Sequence, residues 1–191
     1  QGLQGRGLVG IRQDGIQLTS SGRELGLHVL RAHRLWESFL ADQTGFPEAE
    51  WHGRAHDLEH GLSPAEVDAL SAKLQHPIRD PHGDPIPTAR GEFAGEDGSP
   101  LATAPLDTPL SILHVEDEPK AVFAGLLALG LHPGASVRLV AVSPQRVLLA
   151  VGGVEREVDP LAAASVSVVV LYQRRSSVEP SAEPLHVLRP G

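Results

Sequence analysis

Seven of the chain's 16 prolines fall between residues 77 and 109: Pro77, Pro81, Pro85, Pro87, Pro100, Pro105 and Pro109. Proline fixes φ and removes a backbone donor, so neither a continuous helix nor a central strand runs through such a stretch. The 191 residues therefore divide into two halves, and the halves differ in periodicity. Before the prolines, apolar residues recur at helical spacing. After them, short β-branched runs alternate with turn residues. The expected fold class is α+β, with a helical domain followed by a small β domain.

Residues 7–19 read as two short strands joined at Asp14-Gly15, a favoured hairpin turn. Thr19, Ser20 and Ser21 offer an N-cap for a helix running to about Asp42, with Leu25, Leu27, Val29, Leu30, Leu35 and Leu40 on its apolar face. A second helix is expected over 47–60. A third starts at Ser63-Pro64-Ala65-Glu66, a capping box with proline at the first helical position, and ends before Pro77. Asp80 to Pro87 reads as an ordered turn, and 88–107 as a flexible linker. Strands are expected at 111–115, 137–142, 146–151, 154–158 and 166–171, with a short helix at 119–129 closed by Gly130. That many short strands in about 65 residues predict a small SH3-like β-barrel over 108–173. Residues 174–191 are polar and proline-containing and are expected to form a disordered tail.

Two histidine-acid clusters lie on the predicted helices. His33 and Glu37 are spaced i, i+4. His52, His56, Glu59 and His60 are spaced i, i+4, i+7, i+8 and share one helical face. Apolar core faces do not carry four such groups. Imidazole and carboxylate on one stripe point to a divalent transition metal. With no Cys or Met, its ligands are nitrogen and oxygen, which favours manganese, iron, zinc, cobalt or nickel over cuprous copper. His28 is expected to be packed or exposed. His76 and His82 are read as turn residues, and His114 and His132 as background.

Composition narrows the remaining classes. A net charge of −8 argues against a nucleic-acid surface on this chain itself, because phosphate binding needs clustered Lys and Arg. No run reaches the roughly 18 apolar residues of a membrane span. The H-x-x-x-H element places Gly53 where a zincin needs its general-base Glu, and no nucleophile motif or phosphate loop is present. The chain is not expected to be an enzyme or to take a small-molecule substrate.

Residues 7–87 resemble the diphtheria toxin repressor and manganese transport regulator family of metal-dependent transcription factors. The matching text is GLVGIRQDGIQLTSSGRELGLHVLRAHRL, EWHGRAHDLEHGLS and HPIRDPHGDPIP, in that order. Residues 108–172 resemble the SH3-like domain that many members carry C-terminally, through their strand pattern and GLHPGASVRLV. The resemblance implies a wing-hairpin remnant at 1–19, a metal-binding and dimerisation domain at 20–87, and a homodimer. It places His33, Glu37 and His52 at the family's ancillary site and His56, Glu59 and His60 at its primary regulatory site, with Glu116 and Glu118 as further ligand candidates from the barrel. Family members usually have Cys or Glu where this chain has His56. The helix-turn-helix expected before the wing is absent from this sequence, so DNA binding is implied for the family and not carried by these residues.

The expected function is the metal-sensing and dimerisation portion of a cytoplasmic, Mn2+- or Fe2+-type transcriptional regulator, with Zn2+, Co2+ or Ni2+ accepted in vitro. Leu58, Leu62, Val67 and Leu70 are candidates for the dimer seam. The alternative is a cytoplasmic metal-sensing tail of a metal-transporter permease, which would bring a membrane into play. A metallohydrolase ranks below both.

Overall fold

The computed structural model describes residues 2–13, 15–95 and 97–171. The expected tail at 174–191 lies outside the described residues.

The chain opens with a two-stranded antiparallel hairpin, β1 (Val9–Arg12) and β2 (Gly15–Leu18), with Val9 opposite Leu18 and Arg12 opposite Gly15. Thr19 ends the hairpin and caps α1 (Ser20–Gln43), its side chain accepting from the Gly22 amide at 3.0 Å. A 3-10 turn at Glu48–Glu50 leads into α2 (Trp51–Leu58). The capping box forms at Ser63: Glu66 N–H reaches the Ser63 hydroxyl and the Glu66 carboxylate takes the Ser63 amide, starting α3 (Pro64–Lys73). Helix α1 packs against α2 and α3. A small core of Ala32, Leu35, Val67 and Ile86, flanked by Leu62, Leu70 and Leu74, joins α1 and α3 to the turn that follows them. This corrects the proposed dimer seam. Val67 is fully buried, and Leu62 and Leu70 pack against it, so the chain uses them for its own core; of the four, Leu58 is the one left exposed. Apolar spacing marks a buried face without saying what buries it.

The second domain is a six-stranded antiparallel sheet in the order β3-β8-β4-β5-β6-β7. Its strands are β3 (Ser99–Pro100), β4 (Pro109–Val115), β5 (Ser136–Val142), β6 (Val147–Val151), β7 (Val154–Val158) and β8 (Val166–Val170). Helix α4 (Lys120–Ala128) follows β4, and a single-turn helix α5 (Pro160–Ala163) precedes β8. The architecture fits the SH3-like expectation. Leu110, Ile112, Phe123, Leu126, Leu139, Leu149 and Val168 are among the residues of its one core.

The expected flexible linker at 88–107 needs correcting. Ser99 and Pro100 pair with Val168 and Ser167, and Leu101 behind them is fully buried in the β core with Ala104. The prolines and small residues conceal an apolar anchor: burying one leucine is worth about 1.5–3 kcal/mol, and the pairing with β8 and the burial of Ala104 add to it.

Two backbone features set the helical domain against the sheet. β4 is irregular between Ile112 and His114, which lets both Ile112 and Val115 turn into the core although they are three residues apart. Val115 N–H then donates to the His82 carbonyl at 3.0 Å. Gly83 adopts φ +91, and a Cβ there would collide with the Leu113 carbonyl, so glycine lets the 80–84 turn lie directly on β4.

Candidate metal centre

Four segments meet around Glu37. The carboxylate is 2% exposed and comes from the middle of α1. Its Oε1 lies 3.1 Å from His33 Nε2, one turn earlier, and 3.2 Å from His52 Nδ1 at the start of α2. Its Oε2 lies 3.7 Å from Nδ1 of His82, which is 3% exposed. Asp117, on the segment between β4 and α4, brings Oδ2 to 3.0 Å from His52 Nδ1. Donor atoms of His33, Glu37 and His52 lie within 4.8 Å of one another, and so do those of Glu37, His82 and Asp117.

The remaining predicted ligands sit beside this group. Glu59, 7% exposed, caps the C-terminus of α2. Its Oε2 is 2.6 Å from His33 Nδ1, while Oε1 is 3.1 Å from His56 Nδ1 and 3.3 Å from His60 Nε2. The His56 and His60 rings are mostly exposed, with centroids 6.4 Å apart. The helix expected to reach residue 60 ends at Leu58, so Glu59 and His60 lie just past it, and Glu59 links His56 and His60 to His33 on α1.

The barrel candidates need correcting. Glu116 is exposed and among the described residues its carboxylate reaches only His114, at 3.9 Å, and Glu118 is exposed as well. Asp117, between them, is the residue turned to the site. His82 is the other correction: read as a turn residue, it stacks edge-on against Phe123 at 5.2 Å and faces Glu37. The ordered 80–87 turn was the signal for it. The turn is held by Asp80, whose Oδ1 accepts the His82 and Asp84 amides at 2.9 Å, and by Arg34, which donates to the Pro85 carbonyl at 2.5 Å and to Asp84 at 3.1 Å. Arg34 lies on α1 between His33 and Glu37, so one helix carries both these candidate ligands and the anchor of the turn.

The electrostatics fit a cation. Burial opposes the charge on Glu37, yet hydrogen bonds to His33 and His82 outweigh it and hold the carboxyl down to about 2. Burial likewise opposes the charged form of His82, but Glu37, then Asp80 and Asp117, push it up to about 9. His33 is raised against its burial by Glu37 and Glu59. Both of its ring nitrogens face carboxylate oxygens, an arrangement that suits imidazolium. Asp80 is pushed up to about 7 by burial and by the charges of Asp84 and Glu37. Its Oδ2 is buried with no hydrogen-bond partner among the described residues, and the nearest ion-pair contact is Arg34 Nε at 3.7 Å. Unpaired buried carboxylate is costly, and protons on imidazole here balance charges that a divalent ion would balance instead. Three imidazoles with two carboxylates form a nitrogen-oxygen set suited to such an ion.

Residues 19–88 match the family described as iron dependent repressor, metal binding and dimerisation domain. The iron-dependent repressor IdeR of Mycobacterium leprae is 30% identical over 158 residues, spanning 76% of this chain and 68% of that protein. The chain belongs to the iron-dependent repressor family. Among solved structures similar to this chain, a manganese-dependent transcriptional repressor in complex with manganese superposes with a TM-score of 0.79 at 30% identity, covering 88% of this chain and 80% of that one. A probable metal transport system membrane protein of Chlamydia trachomatis is 40% identical over 82 residues, 43% of this chain and 18% of that protein. No helix among the described residues is long and apolar enough to cross a membrane.

Proposed function

We propose that this chain senses a divalent transition metal through two linked centres and passes its occupancy to a homodimer of a cytoplasmic transcriptional regulator. The inner centre is His33, Glu37, His52, His82 and Asp117. The outer one is His56, Glu59 and His60, and it is completed from outside the described residues, since three ligands on an exposed helix end leave part of a coordination sphere open. The observation that carries the reading is Glu37: a buried carboxylate with three imidazoles around it. When bound, the metal supplies a compact double positive charge that replaces the imidazole protons.

The residues then act as a clamp. His33 and Glu37 hold α1, His52 holds α2, His82 the turn, and Asp117 the barrel. A ligand set drawn from both domains favours the arrangement in which they meet, and differential affinity of this kind shifts a conformational population. DNA is reached through a helix-turn-helix outside this sequence. The transporter reading has less support: the repressor similarity runs through helical domain and barrel, whereas the chlamydial similarity stops at 82 residues.

Isothermal titration with Mn2+, Fe2+ and Zn2+ tests this. At least one site per chain is expected, and His52→Ala with His56→Ala should remove most of the heat. Sedimentation should give about twice the 20.3 kDa monomer mass. Unchanged binding in the double variant refutes the centre, and a monomer with and without metal refutes the coupling.

A further inference from the structure

Helix α4 turns Phe123 and Leu126 into the β core. Val122, Gly125 and Leu129, spaced i, i+3, i+7, share another face of it. They line one side of a groove of about 600 Å3, and Val158, Leu161 and Ala162, from the end of β7 and from α5, line the other. Leu161 is 84% exposed, the highest value among the large apolar residues described. A Cβ on Gly125 would meet nothing within 4 Å, so the groove is open there. A lone exposed leucine is ordinary, but one standing beside an open apolar groove marks a surface that another segment can cover.

The rim is acidic. Glu157 and Asp159 both stand on it and are exposed. Glu157 reaches Arg146 at 3.5 Å across the hairpin. Asp159 Oδ1 accepts the Leu161 amide at 2.8 Å, and no cation pairs with this carboxylate among the described residues. The groove therefore suits a short apolar segment with a cation beside it.

The chain carries such a segment. Leu185, Val187 and Leu188 are followed directly by Arg189, and they lie outside the described residues. Leu171, the last described residue, donates its N–H to the Pro109 carbonyl at the far end of β8, while Ser165, just before β8, lines the groove. Six residue steps of strand separate the two, roughly 20 Å. Residues 172–184 join Leu171 to Leu185. A connector of that length spans about 20 Å as a random chain and about 43 Å at full extension. A tether matched to its span gives an effective concentration on the order of 1 mM, so a contact of modest intrinsic affinity stays closed.

We propose that residues 185–189 of the same chain dock in this groove, with Leu185, Val187 and Leu188 covering Val122, Gly125 and Leu161 and with Arg189 facing Asp159. The surface is separate from the metal centre.

The test uses the full chain in chelator. It has no cysteine, so Ser181→Cys provides a single point for a nitroxide label just ahead of the segment. Paramagnetic broadening of the amide signals of Val122, Gly125, Leu161 and Ala162 is expected, several-fold above that at the β1–β2 hairpin. Gly125→Leu fills the groove at a position with room for a side chain, and Leu188→Asp changes the segment alone; each should remove the broadening while the β4 and β5 signals stay in place. Arg189→Glu should reduce it. In a mixture of labelled chain and unlabelled, isotope-enriched chain, the enriched copy should keep sharp signals. Broadening of that copy assigns the groove to a neighbouring molecule and overturns docking within the chain. Broadening centred elsewhere, none above that of the hairpin, or persistence in both variants overturns the site.

Discussion

Glu59 Oε2 stands 2.6 Å from His33 Nδ1, so a single imidazole joins the inner and outer centres. If His33 Nε2 faces a metal beside Glu37, its remaining proton stays on Nδ1 and is donated to Glu59. That fixes the ring's tautomer and orientation and leaves Glu59 Oε1 for His56 and His60. Glu59→Ala should therefore weaken metal at the outer centre and also at the inner one, by about 10–100-fold, the usual effect of losing the partner behind a ligating histidine. Titration of the variant with Zn2+ reads both. Inner affinity unchanged from the parent chain would show that the contact is idle.

Glu37→Gln should abolish binding at the inner centre and destabilise the metal-free chain. Breaking a buried pair by removing one partner costs about 3–5 kcal/mol, because the other charge is left uncompensated. Here the charges left behind are His33 and His82. Urea unfolding in chelator measures the loss, and a loss below about 1 kcal/mol would show that Glu37 is not their counter-ion.

The metal-free chain should be most stable in mildly acidic solution. Glu37 falls from 4.5 to about 2 on folding, so its contribution is present above about pH 4.5 and is lost as pH falls toward 2. His82 rises from 6.5 to about 9, so its contribution is complete below about pH 6.5 and is lost as pH rises through 9. Asp80, raised from 3.8 to about 7, loses its contribution in the same direction as His82 over pH 4 to 7. Unfolding midpoints in chelator should be higher at pH 5.5 than at pH 8.5. Excess Zn2+ should reverse that order, because metal takes the deprotonated ligands.

Metal uptake near pH 7 should release protons. His33 and His82 both hold a proton more firmly than free imidazole. Calorimetry in buffers of different ionisation enthalpy should give more than one proton per metal ion. A value near zero would place the metal away from these rings.

Zn2+ should bind more tightly than Mn2+ in vitro. His56 and His60 both face Glu59, and three imidazoles surround Glu37. Nitrogen-rich sites follow the usual affinity order, with Mn2+ at its low end. Competition at fixed pH measures the ratio, and tighter Mn2+ binding would reverse this reading.

Much of this protein is written locally. The β1–β2 hairpin, the Thr19 and Ser63 caps, and the β-branched runs of β5 to β8 follow from turn chemistry, capping and periodicity, each acting within a few residues. The pairing of His33 with Glu37 and the grouping of His56, Glu59 and His60 are local for the same reason: helical spacing, or the turn just past α2, puts them side by side. What lies between elements was decided by tertiary contact. Leu62, Val67 and Leu70 read as a free apolar face and became the inside of the helical domain. Leu101, among prolines, became an anchor of the β core. Asp117, and not its neighbours Glu116 and Glu118, reached His52. His82, read as a turn residue, reached Glu37 because Arg34 and Asp80 hold its turn and Gly83 lets that turn lie on an irregular β4. Periodicity assigns a side chain to a face of its own element; which face meets which depends on backbone geometry at a few turns, summed over contacts far apart in the chain.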